Sequence, residues 1–425
     1  VGSCYNENSF AVKRSEGLQK HRNLGESMTE QDKKKFKTVP AMDMDEYKQK
    51  IREHRLKILK RTLVTVLIVF VIIAGLFLFL ALRHYEDFDV NSTVERSDTA
   101  ATIFEEFQGN ILKYSNDGAL YTDTYNERIW NQTYEMAKPT IDICEDYLVI
   151  YDKKGTQIYI MTSQGLVSNI ETTMTIEQVS IAAQGTVAVL MGDQSNSYLV
   201  VYDKNGKELV NGAIYGEDGG YPIAIALSND AIKLAVSMLD INDGNVKTTI
   251  AFYNFGSVGE NEIDRIVSAN SFSDMVIPQL DFVSDDRMVA YGDSEIAIFE
   301  GTQKPKLTQE IPLTGEAKSI FNNNKYVGVV YSNNDENLTH HVAVYDMHGF
   351  TVMEKDFSQE YTEIGFLSNN EVCILNDHSC DIYTVRGIYK FHYDFDEELY
   401  KVISGGTGLN YTIILENSTE KVRLK

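Results

Sequence analysis

The feature that most constrains this chain is an uninterrupted apolar run from Thr62 to Leu82, TLVTVLIVFVIIAGLFLFLAL, 21 residues without a charge. At about 1.5 Å per residue, a helix of that length crosses a hydrocarbon layer of about 30 Å. A buried core helix would be shorter and would carry a polar face. A cleaved signal peptide would have a shorter apolar stretch nearer the N-terminus. Residues 62–82 are therefore read as one uncleaved transmembrane helix, and the lipid bilayer is the first partner implied.

The flanks give the direction. Lys48, Lys50, Arg52, Arg55, Lys57, Lys60 and Arg61 precede the run against one nearby acid, Glu53, whereas residues 83–106 hold Arg83 and Arg96 against seven acids. Basic flanks are retained on the cytoplasmic side. The expectation is a single-pass protein of the cell membrane, N-terminus cytoplasmic and C-terminal domain extracytoplasmic. Residues 43–61, DMDEYKQKIREHRLKILKR, place acids first and bases last, which suits a basic juxtamembrane helix continuous with the span. Residues 1–42 are polar and aperiodic and read as a disordered cytoplasmic tail. Met28 and Met42 are alternative start residues in a chain that begins with Val.

The net charge of −23 conceals a split: residues 1–61 carry 15 Lys and Arg against 9 Asp and Glu, net +6, leaving 24 against 53, net −29, for the remainder. Nucleic-acid binding relies on Lys and Arg releasing counterions from phosphates, so an acidic domain excludes that class of partner.

Beyond a stalk at residues 83–90, alternation with period two recurs in short runs separated by turn dipeptides such as Asn205-Gly206 and His348-Gly349. One unit then returns: ALYTD, IYIMTSQG, YLVVYDKNG, TIAFYNFG, EIAIFEG, HVAVYDMHG, DIYTVRG and EKVRLK. Anchored at Asp123, Met161, Tyr202, Tyr253, Phe299, Tyr345, Tyr383 and Arg423, the spacings are 38, 41, 51, 46, 46, 38 and 40 residues. Periods of that size, each parsing into four strands, indicate propeller blades. The fold class is all-β: a β-propeller over residues 91–425 with eight blades, seven being the alternative. The last unit stops after its third strand, so Ser92–Ser97 is expected to supply the fourth and close the ring.

The strings KLAVSMLDINDG (233–244), TTIAFYNFGSVGENEIDRIVS (248–268), GNILKYSNDG (109–118) and VERSDT (94–99) resemble an uncharacterised bacterial family of membrane-anchored proteins of unknown function. The resemblance runs from about residue 42 to the C-terminus. It implies a WD40-like or quinoprotein-like propeller outside a membrane of Gram-positive type, and it brings no catalytic residues with it.

Few residues invite chemistry. Cys4, Cys144, Cys373 and Cys380 form no C-x-x-C pair, and Cys373 and Cys380, flanking a hairpin turn, read as free thiols or a disulfide. The His340-His341 pair begins a strand, where neighbours point to opposite faces. Asp240, Asn242 and Asp243, like Asp285 and Asp286, are turn residues rather than a calcium loop, which would need a distal glutamate. No nucleophile elbow, Walker loop or dinucleotide fingerprint occurs. No catalytic, cofactor-binding or metal residue is assigned, and no cofactor. The favoured function is a non-enzymatic binding or scaffold module for an envelope protein or cell-wall polymer. The alternatives are a propeller enzyme (hydrolase or quinone-type oxidoreductase) acting in the funnel, and a single-helix sensor.

Overall fold

The structure, a computed structural model, describes residues 44–99, 101–192, 196–214, 220–241, 244–333, 337–406 and 408–425. The expected tail, residues 1–42, and Asn242 and Asp243 lie outside them. The chain divides into two compact units, residues 1–78 and 79–425.

The first is dominated by α1, one continuous helix over Met44–Ala81, with Asp45 and Glu46 in its first turn, where the helix dipole favours negative charge. Within the apolar run, the Thr62 and Thr65 hydroxyls donate to the carbonyls of Ile58 and Arg61, each at 3.0 Å, so neither presents an unpaired donor. Leu67 and Phe70 are 60% and 66% exposed. A helix this apolar and this uncovered is long enough to span a membrane and is not a core helix.

The second unit is an eight-bladed β-propeller, each blade a four-stranded antiparallel sheet with its first strand innermost. Blades 1 to 7 occupy Ile103–Thr133, Pro139–Glu171, Thr175–Ile214, Tyr221–Ser273, Gln279–Pro312, Ala317–Phe357 and Glu363–Asp394. All eight recurrent strings of the sequence are third strands. Blade 8 contributes three strands of its own, Leu399–Ser404, Asn410–Leu415 and Ser418–Leu424, and the expected fourth comes from the N-terminal side. This closing strand, Phe88–Glu95, pairs antiparallel from Phe88 opposite Leu424 to Glu95 opposite Ser418. Backbone bonds extend the ladder at both ends, Lys425 N–H to the Asp87 carbonyl (3.1 Å) and Arg96 N–H to Asn417 (2.8 Å).

The closing strand starts ahead of Asn91 because Phe88 joins an aromatic cluster, its ring 4.7 Å from Tyr393 and 6.3 Å from Phe391. The residues read as a stalk are held as well. Tyr85 is buried and its N–H donates to the Lys390 carbonyl on the outer strand of blade 7 at 2.8 Å, while the His84 ring stacks on Tyr389 at 4.7 Å.

Several outer turns share one device. Asp203 and Asp346 each cap their own turn, the Oδ1 atoms accepting from Asn205 and Lys207 (both 2.9 Å) and from His348 and Phe350 (2.9 and 3.0 Å). Gly206 and Gly349, at φ +80° and +79°, supply the left-handed residue that lets each turn close. Asp123 holds the turn of blade 1 likewise, with Asn126 at φ +61° in the glycine position.

Apolar side chains fill the spaces between neighbouring blades. Phe252, Phe282 and Phe299 pack blade 4 on blade 5, and Ile158, Ile176 and Val189 pack blade 2 on blade 3. The single tryptophan, Trp130, packs between blades 1 and 2 and donates Nε1–H to the Thr162 carbonyl at 3.1 Å. Cys373 and Cys380, on adjacent strands of blade 7, are free buried thiols with sulfurs 3.7 Å apart. Because Thr93 lies opposite Glu420, a Thr93→Cys/Glu420→Cys chain should form a disulfide under mild oxidation and melt higher on non-reducing differential scanning. A Thr93→Cys/Thr419→Cys chain, with its two side chains on opposite faces, should not.

Candidate functional site: the central channel

Eight innermost strands surround the channel, and several of their polar side chains are aimed by one local irregularity. The ladder with the second strand slips by one residue at Ile176/Gln178, Pro222/Ala224, Ala317/Ser319 and Leu399/Lys401. A bulge of this kind re-aims the residue that follows it. Two of these residues, Gln178 and Lys401, reach the neighbouring blade.

Gln178 of blade 3 donates Nε2–H to the Ile225 carbonyl (3.0 Å) and accepts from the Ile225 N–H (2.9 Å), so its amide pairs with blade 4 as a backbone amide would. Ser180 Oγ accepts from the Leu227 N–H at 3.0 Å. Asp142 of blade 2 accepts the Ile181 N–H of blade 3 at 2.8 Å, and Asp281 of blade 5 accepts from the Asn322 amide of blade 6. Lys401 of blade 8 bridges both neighbours, 3.0 Å from Glu105 of blade 1 and 2.7 Å from Glu363 of blade 7. The channel wall is thus a polar belt whose links run from blade to blade.

Electrostatics follow from enclosure. The Asp142 carboxyl is pushed up to about 7, first by burial and then by the charge of Asp281, while hydrogen bonds from Ile181 and Ile143 pull the other way. Burial likewise raises Asp281. Both line a cavity of about 280 Å³, with Gln178, Ser180 and Gln279. On the opposite side, Glu105, Glu106, Glu363 and Lys401 line one of about 230 Å³. Burial raises Glu106, which the Ser368 hydroxyl hydrogen-bonds. For Lys401 burial acts downward, but the two flanking glutamates prevail and its pKa is raised.

The histidines singled out in the sequence lie elsewhere. His340 stacks on Phe357 at 5.0 Å and His341 hydrogen-bonds Asp356 at 2.7 Å, on opposite faces of one strand of blade 6. Asp285 and Asp286 occupy a turn of blade 5, and the Ser284 hydroxyl hydrogen-bonds Asp286 at 3.0 Å. Among the described residues no group of three His, Cys, Asp or Glu side chains converges as a metal site would require. The belt itself was not anticipated. Its signal is a charged residue between apolar ones in the first strand of a period: Ile141-Asp142-Ile143, Leu280-Asp281-Phe282, Tyr400-Lys401-Val402.

The chain matches the DUF5711 family, a family of unknown function, over residues 81–424. It belongs to that family. The match takes in the closing strand and all eight blades, so the ring is what DUF5711 describes. No curated protein matches the chain in sequence. Similar solved structures include BamB from Moraxella catarrhalis, at 12% identity and TM-score 0.49 over 80% of this chain and 98% of that one. The WD40 domain of Neurospora crassa Pan2 is similar at 10% identity and TM-score 0.41, over 80% and 98%. Hsv2p from Kluyveromyces lactis is similar at 10% and 0.45, over 73% and 97%.

Two outcomes follow for the belt. Replacing Lys401 by Met leaves Glu105 and Glu363 facing each other, and should cost about 2 kcal/mol in denaturant unfolding, the partners being half-exposed; adding Glu105→Gln and Glu363→Gln should restore most of it. For Asp142 the folded pKa is raised, so the folded state holds a proton that the unfolded chain releases near pH 4. That contribution is full at low pH and is lost as pH rises through about 7. The melting temperature of Asp142→Asn should therefore fall less between pH 5 and 8 than that of the unaltered chain.

Proposed function

We propose that this DUF5711 protein is a single-pass membrane protein whose propeller is a binding module on the outer side, held there to engage an envelope protein or a cell-wall polymer. The observation that carries the binding reading is the channel belt. Asp142, Gln178, Asp281, Glu363 and Lys401 each spend their polar atoms on another blade, which suits a rigid ring presenting its rims and grooves. What supports the placement is the charge split, +6 before the apolar run and −29 after it, together with the length and exposure of α1. Residues 1–42 then form a cytoplasmic tail and the basic end of α1 meets anionic headgroups.

A second reading, an enzyme acting in the channel, draws on the cavity that Asp142 and Asp281 share. It needs a carboxylate free to meet a substrate, whereas Asp142 accepts from two backbone N–H groups and Asp281 from Asn322.

Lys50 and Lys207 are exposed, on α1 and in a turn of blade 3. In intact cells a membrane-impermeant maleimide should label a Lys207→Cys chain and reach a Lys50→Cys chain only after lysis; the reverse pattern overturns the placement. Photo-crosslinking from Lys207 should then capture one reproducible envelope protein or wall polymer, and repeated capture of none contradicts the binding reading.

A further inference from the structure

The eight blade interfaces are not packed alike. Among the described residues, seven hold an apolar cluster of nine or more buried side chains, the smallest being that between blades 3 and 4. The eighth, where blade 8 meets blade 1, holds four among the described residues: Phe104, Ile111, Ile403 and Ile414, with Tyr400 against them. This is the seam of the ring. Part of the missing packing is replaced by charge: Arg96 lies over the Phe104 and Tyr400 rings at 4.4 and 4.9 Å and pairs with Asp98 at 3.0 Å, which also takes Lys113 at 2.7 Å. The rest is open. A groove of about 700 Å³ runs from Glu106 on the innermost strand of blade 1 outward to the closing strand of blade 8.

The chemistry of this groove differs from that of the domain around it. Its lining is mostly neutral and hydrogen-bonding, including Asn91, Ser92, Thr124, Ser368, Ser404 and Thr412. One cation stands in it: Lys421, its ammonium 3.1 Å from the centroid of the half-exposed Tyr125 ring. No carboxylate lies within 4.0 Å of that ammonium among the described residues, although the domain beyond the apolar run carries 53 acids against 24 bases. A row of hydroxyls and amides suits a polyhydroxylated ligand, and the volume falls in the range of small-ligand sites, ~300–1,000 Å³. An ammonium resting on an aromatic face keeps its charge available to an anion.

We infer that the seam groove between blades 8 and 1 binds a short glycan segment carrying an acidic substituent, with Lys421 reading the anion and the hydroxyl and amide row reading the sugar. This rests on the binding-module reading and names the ligand class and the site within it.

The test uses the full chain in neutral detergent micelles, with trigalacturonate as the anionic probe and tri-N-acetylglucosamine as the neutral one, followed by calorimetry and saturation-transfer NMR. Trigalacturonate should bind, more weakly as salt rises. Lys421→Met should weaken it by about tenfold, the scale of one charged hydrogen bond, and leave any binding of the neutral trimer unchanged. Asn91→Trp, on the exposed face of the closing strand, should block trigalacturonate without lowering the melting temperature. The inference is overturned if the folded, unaltered chain binds trigalacturonate no better than the neutral trimer, or if Lys421→Met binds it equally well. Inside-facing maleimide labelling would instead defeat the placement while leaving this binding measurable, so the two failures are distinct.

Discussion

An antiparallel ladder of seven residue pairs between Phe88–Glu95 and Ser418–Leu424 holds this ring shut. Without that ladder, blade 8 would present an unpaired third strand, and the seam toward blade 1, already the leanest in apolar contacts, would be the first to part. A ring whose ends are joined early in sequence to late in sequence folds only when the whole chain has come together. The same strand follows α1 by a handful of residues, so the helix long enough to cross a membrane and the strand that closes the ring are consecutive pieces of the chain.

Much of this was legible in the residues. The long apolar helix and the eight third strands stand out because each is set by a strong local rule: span length, and period-two alternation ended by a turn. The closing strand was legible indirectly, through a last period that lacks a fourth strand. Its start was not, because what draws Phe88 into the sheet is a cluster with Phe391 and Tyr393, some 300 residues away in sequence. The asparagine-glycine and histidine-glycine dipeptides marked turns correctly. The aspartate three residues before each glycine, which holds the turn with its own side chain, was present in the same strings and is the better signal.

The channel and the seam are where local patterning runs out. Asp142, Asp281 and Lys401 each interrupt an apolar strand, but which blade each reaches depends on bulges and on the ring's order. The belt explains how so acidic a domain builds a narrow core: its carboxyl groups are hydrogen-bonded to backbone N–H groups, an amide or Lys401, and burial beside Asp281 shifts Asp142 toward its protonated form. The seam shows the complementary solution. Where four apolar side chains replace nine or more, a buried arginine, a shared aspartate and a polar groove fill the space. A closure interface built this way trades packing for a concave, mostly neutral surface that carries Lys421, which is why the inferred ligand site lies there and not in the channel.

Hydrogen–deuterium exchange of the full chain in detergent micelles tests the central claim most directly. If the closing strand is an integral part of the ring, amides of residues 89–95 should exchange as slowly as those of residues 419–424 and of the inner strands of blades 2 to 6, and they should open with the ring as a whole. Exchange of residues 89–95 within seconds, with blade 8 protected only through its own three strands, would contradict it.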